Sequence, residues 1–216
     1  MIKLIIFDFD GTLGDTRRNI ILTLRQTMQA LDLKVHDEAT CGATIGLRLE
    51  DGFRQLYPDL DETGIKECAT TYRRLFDENK KTLVPALFPG VVETLSELQR
   101  RGLTMTIATS RSSKSLHDFL SDMGIAGYMS FIMTGDLVEK GKPDPEPVLK
   151  TLAALEADAS ETLVVGDMPV DILMGRGAGV KTCGVTWGNA SRQELEAAGA
   201  DFIIDSMSEL PLCLSS

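Results

Sequence analysis

Residues 3–7 form a short apolar run, Leu-Ile-Ile-Phe after a single Lys, that stops abruptly at Asp8, and four later segments repeat that form at 103–109, 131–134, 162–165 and 181–186. A weaker sixth lies at 202–204. A strand with one wet face alternates apolar and polar residues, so runs that are apolar throughout read as strands covered on both faces, the mark of a parallel sheet. Parallel neighbours need crossovers, and helical patterns lie between the runs. The order of strand and helix therefore predicts an α/β chain with right-handed crossovers.

Three of the helices have legible ends. Val91, Val92, Leu95 and Leu98 make one apolar stripe, preceded by Pro89-Gly90 and closed by Gly102. Leu116, Phe119, Leu120 and Met123 repeat at helical spacing, with Ser113 as the expected N-cap and Gly124 as the stop. After Lys142-Pro143, Asp144 is placed to cap a helix whose first turn tolerates Pro145 and Pro147, because those positions lack intrahelical donors anyway. One block breaks the alternation: from about residue 15 to 83 the patterns are helical, at 17–31, 50–56 and 62–79, with no convincing strand. A helical insertion after the first strand accounts for it, dividing the 216 residues into a discontinuous α/β core, 1–14 with 84–216, and an insert of 15–83.

The 32 acidic and 22 basic side chains give a formal net charge of −10, which repels polyanions over the whole surface and argues against nucleic acid or an anionic membrane as a partner. A phosphate-bearing partner must then be captured locally. Cys41, Cys68, Cys183 and Cys213 lie far apart without Cys-x-x-Cys spacing, so they read as buried thiols in a reducing compartment. The first apolar stretch is too short for a secretory leader and none approaches the ~20 residues of a membrane span, so the expected location is cytoplasmic.

In an open parallel sheet, ligands bind beyond the carboxyl ends of the strands. The residues there are Asp8-Phe9-Asp10-Gly11-Thr12, Thr109-Ser110-Arg111, and Gly166-Asp167 with Asp171, and Lys140-Gly141-Lys142-Pro143 follows the third strand closely. Asp8 and Asp10, two apart, send both carboxylates to one side of an extended chain. Such a pair repels unless neutralised; with Asp167 as a third carboxylate it suits a hard divalent cation, and magnesium fits best because it keeps water and phosphate oxygens as remaining ligands. Lys142, Thr109 and Ser110 then face the same crevice as phosphate-binding groups. Each piece also has an ordinary reading: solvated turn acids, a helix-capping Thr-Ser pair, a surface lysine, acids decorating a helix N-terminus. Their joint placement at successive strand ends favours a site over those separate readings.

The set Asp8-Phe9-Asp10-Gly11-Thr12-Leu13, Thr109, Lys142-Pro143 and Gly166-Asp167 with Asp171 resembles the four signature motifs of the haloacid dehalogenase superfamily, over nearly the whole chain. The insert is similar to that family's α-helical cap, as in phosphoglycolate phosphatase-like and β-phosphoglucomutase-like members. The resemblance implies a Rossmann-like core with helices on both faces of its sheet, under the cap. It also implies that Asp8 is the nucleophile and passes through an aspartyl phosphate, and that Asp10 is the general acid and then the base. Magnesium is implied to be held by the Asp8 carboxylate, the Asp10 main-chain carbonyl and the Asp167 carboxylate. Thr109 and Lys142 are implied to hold the phosphoryl oxygens, with Asp171 orienting Lys142 or a metal-bound water.

The second Asp of the first motif favours phosphoryl transfer over carbon–halogen cleavage, so the expected enzyme is a magnesium-dependent phosphatase for a small phosphorylated metabolite resembling phosphoglycolate. A phosphomutase or a pyrophosphatase is the alternative. The mutase-like group has an Arg directly before an acidic pair, whereas Leu49 precedes Glu50-Asp51 here and Arg48 stands one position earlier. The segment 44–48 is similar to the glycine-containing cap loop of such phosphatases. In it Gly46 permits close backbone approach, and Arg48 is either a solvated helix-start residue or an anchor for a substrate carboxylate or second phosphate. Arg17 and Arg18 carry the same two readings. Trp187-Gly188-Asn189 with Ala200-Asp201 resembles the phosphoglycolate phosphatase-like branch. Non-enzyme alternatives are a receiver-like phospho-acceptor, which leaves the helical insert unexplained, and a phosphatase-like binding protein without turnover, which the full motif set argues against.

Overall fold

The computed structural model describes residues 1–215. The chain opens with β1 (Leu4–Phe7), the two-residue β2 (Gly14–Asp15) and the helices α1 (Arg17–Ala30), α2 (Glu38–Gly42), α3 (Leu49–Leu56) and α4 (Glu62–Asn79). A second short strand, β3 (Ala86–Leu87), leads into α5 (Val91–Arg100), β4 (Thr104–Ala108), α6 (Ser113–Asp122) and β5 (Phe131–Met133). Then come α7 (Glu146–Leu155), β6 (Thr162–Gly166), α8 (Pro169–Gly177), β7 (Lys181–Val185), α9 (Arg192–Ala198), β8 (Phe202–Ile204) and a closing 3-10 helix, Met207–Ser215.

Six strands form one sheet in the order β5-β4-β1-β6-β7-β8, each adjacent pair parallel. All six apolar runs are strands, within a residue or two of the expected bounds. Alternate residues explain why the runs are continuous. Ile5, Phe7, Leu163 and Val165 join a cluster with Leu95, Leu98, Leu116 and Phe119 of α5 and α6. Leu4, Ile6 and Val164 face the other way, onto Val148 and Leu152 of α7 and Met174 of α8. Both faces are thus covered by helices, and a period-2 chain buried on both sides must be apolar at every position. The chain runs from β1 outward through β4 and β5, then returns to the other side for β6, β7 and β8. Strand order therefore reverses at β1, which opens a crevice at its carboxyl end.

The four helices α1–α4 share an apolar cluster of their own, with Met28, Cys41, Phe53, Ile65 and Cys68 at its centre. Phe76 of α4 and the half-buried Tyr72 also reach the cluster under α5 and α6, so the helical insert is seated on the sheet layer. Two features of this region were not legible in the sequence. Helix α2 is five residues long, too short for a 3.6 period to register, and is marked by its Asp37 cap, which accepts from the Thr40 amide at 2.7 Å. Strands β2 and β3 form an antiparallel ribbon, Gly14 opposite Leu87 and Asp15 opposite Ala86, where the chain leaves and re-enters the sheet layer.

Two caps differ from expectation. Ser112, not Ser113, occupies the N-cap of α6 without a side-chain capping bond, and the first helical amide, that of Ser113, donates to the Asp136 carboxylate of a later loop at 3.1 Å. Pro145 rather than Asp144 occupies the N-cap of α7, and Asp144, one residue earlier, accepts from the Glu146 amide at 3.0 Å. All four cysteines are free and buried. Among the described residues no helix is long and apolar enough to cross a membrane.

Candidate active site

The ladder of β1 continues one residue past the strand, where the Asp8 amide bonds the Val165 carbonyl at 2.8 Å, so Asp8 is held at the point where strand order reverses. Asp167 follows the end of β6 directly, and Asp171 lies in the first turn of α8. One carboxylate oxygen from each of Asp8, Asp167 and Asp171 falls within 4.8 Å of the others, and all three residues are buried. Lys142 enters from the loop after β5; its Nζ donates to Asp8 Oδ1 at 2.5 Å and to Asp171 Oδ1 at 2.6 Å, with only 2% of its side chain exposed. Asp171 is fixed further by the Met168 amide at 3.0 Å.

Three acids and one base, all desolvated, leave two negative charges uncompensated when ionised. The strain shows in their acidities. Burial raises the Asp8 carboxyl well above its ordinary value despite Lys142, and Asp171, Asp167 and Asp10 push the same way. Burial, then Asp171, lifts Asp167 up to about 7 against the amides of Asn189. Burial opposes the charge of Lys142, but Asp171 and Asp8 hold its pKa above that of an ordinary lysine. A buried oxygen-only cluster with excess negative charge is the donor set a hard divalent cation takes.

The Asp167 carboxylate is positioned by residues that follow β1 and β7. Its Oδ2 accepts from the Asn189 amide at 2.7 Å and side chain at 2.8 Å, and its Oδ1 from Thr12 Oγ1 at 3.3 Å. Gly11 passes over it with φ +90°, and a Cβ there would lie 2.2 Å from Asp167 Oδ2. Only glycine allows both that dihedral and that approach.

Asp10 lies in a different environment from Asp8, although both border the same cavity of about 470 Å³. Its carboxylate takes a fork from Arg111, Nε to Oδ2 at 2.7 Å and Nη2 to Oδ1 at 2.6 Å, and a bond from Thr16 Oγ1 at 2.5 Å. The sequence places Asp8 and Asp10 on one side of the chain; the tertiary structure gives them separate partners. Thr109, buried at the end of β4, and Ser110 line that cavity too. The Ser110 hydroxyl donates to the Gly46 carbonyl at 2.6 Å, which fastens the loop between α2 and α3 over the strand ends. Gly46 takes φ +95° and packs on Met168 and Val170.

The two arginines of the insert contact the α/β layer rather than open solvent. Arg48 borders the cavity, but its Nη1 donates to the Glu139 carbonyl at 2.7 Å and its Nη2 to the Val138 carbonyl, so both terminal nitrogens hold the loop that carries Lys142. Of the two readings the sequence left open for Arg48, neither a solvated helix start nor a free anchor describes this arrangement. Arg17 donates to Asn189 Oδ1 at 2.9 Å and so supports the residue that grips Asp167. Arg18 is exposed. Arg111 and Asn189 are the site neighbours to which the sequence reading gave no role. Both stand just past strand ends, the same signal that marked Thr109 and Asp167.

The architecture, with acids gathered past β1 and β6 beneath a helical insert, defines a hydrolase class, and the chain belongs to the haloacid dehalogenase-like hydrolases, whose family model matches residues 5–185. Among its relatives, a protein named probable phosphatase IndB from Dickeya dadantii is 36% identical over 97% of this chain and 92% of its own length. Pyrophosphatase PpaX of Bacillus cereus is 34% identical over 100% of this chain and 97% of its own. In structure the chain is similar to a haloacid dehalogenase-like hydrolase from Bacteroides fragilis, with TM-score 0.88 and 28% identity over 97% of this chain and 100% of the other.

Proposed function

We propose that this hydrolase is a divalent-metal-dependent phosphatase for a small phosphate ester, and that it works through an aspartyl phosphate on Asp8. The observation that carries the reading is the buried Asp8–Asp167–Asp171 cluster, with Lys142 bonded to Asp8 at 2.5 Å, beside the cavity that Asp10 borders. Asp8, Asp167 and the main-chain carbonyl of Asp10 are the groups to hold magnesium. The bound ion supplies positive charge that lets an anionic carboxylate approach an anionic phosphoryl group.

The chain's own residues divide the remaining work. Lys142 keeps Asp8 oriented and places a fixed positive charge where phosphoryl oxygens gather, and Thr109 offers a hydroxyl from the end of β4, whereas the Ser110 hydroxyl, expected at the phosphate from the sequence, is committed to the Gly46 carbonyl. Asp8 attacks phosphorus, and Asp10 gives its proton to the leaving alkoxide and takes one from the water that then opens the aspartyl phosphate. Asp171 holds Lys142. Residues 15–83 act as a cap over a core of 1–14 and 84–216, closing the cavity and keeping bulk water from the phosphoryl group. A pyrophosphatase is the second reading, favoured by the full-length relatives that bear that name.

The test is phosphate release by the purified protein with magnesium, from an aryl phosphate, from a panel of phosphorylated metabolites and from inorganic pyrophosphate. Wild type should turn over at least one of them, and Asp8→Asn should abolish turnover while melting as wild type does. Turnover that survives in Asp8→Asn removes the nucleophile assignment. Preference for pyrophosphate over every ester selects the second reading.

A further inference from the structure

Arg111 stands three residues past the end of β4 and was given no role by the sequence, yet it makes the most elaborate set of contacts of any cation at the cavity. Its guanidinium forks onto Asp10, with Nε 2.7 Å from Oδ2 and Nη2 2.6 Å from Oδ1, and its Nη1 bonds Ser115 Oγ at 2.9 Å. The side chains of the pair are only 10% and 12% exposed, so this is not a solvated surface bridge.

The guanidinium is enclosed as well as bonded. Its carbon lies 4.6 Å from the ring centroid of Phe119, 4.9 Å from that of Phe76 and 5.8 Å from that of Phe9. The rings support one another, Phe9 with Phe119 at 5.7 Å and Phe76 with Phe119 at 6.1 Å. A planar cation gripped by aromatic rings and by a two-point fork has little freedom of rotation, and it passes that order to the carboxylate it holds. The three rings come from separate elements: Phe9 from the turn after β1, Phe119 from α6, and Phe76 from α4 of the helical insert.

We propose that Arg111 is a positioning residue for proton transfer: it fixes the rotamer of Asp10, and the Phe76 ring that completes its enclosure makes that rotamer depend on how α4 is seated. Among the described residues, Oδ1 of Asp10 also accepts from Thr16 Oγ1, whereas Oδ2 accepts from Arg111 alone. Both carboxylate oxygens are thus held in place, Oδ1 by two residues and Oδ2 by one. The inference rests on the phosphatase reading, in which Asp10 protonates the leaving group.

A residue that acts by placing an acid shows itself in leaving-group dependence. An alkyl phosphate needs its leaving oxygen protonated, whereas p-nitrophenyl phosphate releases a stable anion and needs far less help. The ratio kcat/KM reports the first phosphoryl transfer and is blind to the later hydrolysis. Arg111→Lys keeps the charge and loses the fork and the planar stacking; it should lower kcat/KM for an alkyl phosphate by about 100-fold, and for p-nitrophenyl phosphate by less than about 5-fold. Phe76→Leu, which leaves the Arg111–Asp10 pair in place, should show the same preference at about 10-fold for the alkyl substrate, and the double variant should be no worse than Arg111→Lys.

Equal losses on both substrates with wild-type turnover intact overturn the inference and leave the phosphatase reading standing. So does a rise in KM on both substrates without a fall in kcat, which marks a substrate-binding arginine. Wild type that releases phosphate from neither substrate nor from pyrophosphate overturns the phosphatase reading, and this inference with it.

Discussion

Replacing Lys142 by methionine removes the ammonium from the buried acid cluster while keeping the length and apolar stem of the side chain. In the wild type that group donates to Asp8 at 2.5 Å and Asp171 at 2.6 Å, and with 2% of its side chain exposed it is beyond the reach of bulk water. Removing one partner of a buried pair costs about 3–5 kcal/mol, because an uncompensated charge stays behind. Here two carboxylates lose their partner at once, beside a third that burial and Asp171 already lift up to about 7. The cost in metal-free protein at about pH 8 therefore falls at the top of that range, about 5 kcal/mol. Protonation relieves it, since neutral acids hydrogen-bond one another, so at about pH 5 the loss should shrink to roughly half. For a chain of this size 1 kcal/mol shifts Tm by about 2–4 °C, which gives a drop of about 10–20 °C at the higher pH. Thermal melts in chelator at the two pH values measure it, and excess magnesium should restore part of the loss by supplying the missing countercharge. A variant that melts within about 2 °C of wild type at the higher pH, or loses the same amount at both, refutes the claim that Lys142 neutralises this cluster.

Two further outcomes follow from the same geometry. The metal-free wild type should gain stability as pH falls from about 7 toward about 4, because Asp167, raised to about 7 by burial and Asp171, keeps its proton when folded over a range where the unfolded carboxyl has lost it. Saturating magnesium should flatten that slope, and further acidification should reverse it as lowered groups such as Glu146, held down to about 2 by Lys150 and the amides of Glu139 and Lys140, take up protons; a chelated protein whose melting curve is level between those pH values speaks against a strained cluster. Arg48→Ala removes two charge-assisted bonds to the Val138 and Glu139 carbonyls and should cost about 2 kcal/mol of stability, with a similar fractional loss of activity on every substrate of a phosphorylated-metabolite panel. A loss confined to substrates with a second anionic group would return Arg48 to substrate recognition.

Much of the fold was legible because burial on both faces leaves a strand no polar position to spare, so each run in β1, β4, β6 and β7 stands out against its neighbours. The elements that escaped were those in which local chemistry is brief. Helix α2 has five residues and β2 two, too few for any period, and they exist because neighbouring elements hold them. The sequence places the cap of α6 on Ser113, yet Ser112 takes that position and the first helical amide is bonded by Asp136, 23 residues away, a partner no local pattern encodes.

The same division runs through the site. From the sequence alone, the acids after β1 and β6, Thr109 and Lys142 could be placed at carboxyl ends of strands, because strand ends are punctuated locally and the direction of a parallel sheet is common to all its strands. Which groups then touch was decided only in three dimensions. Asp8 and Asp10 are two residues apart, but one joins Lys142 and the other Arg111, since the turn after Phe9 sends the carboxylates to different partners. Arg48 and Arg17, candidates for substrate by type and position, were committed to Val138, Glu139 and Asn189 by the seating of the helical insert on the sheet. Arg111 acquired its enclosure from three phenylalanines as far apart in the chain as 9, 76 and 119. Sequence determined the sheet, its direction and the end where chemistry gathers, because those depend on burial period and on covalent order. Pairing among buried charges belongs to the tertiary structure, because it depends on ångström-scale distances between segments that share no local pattern.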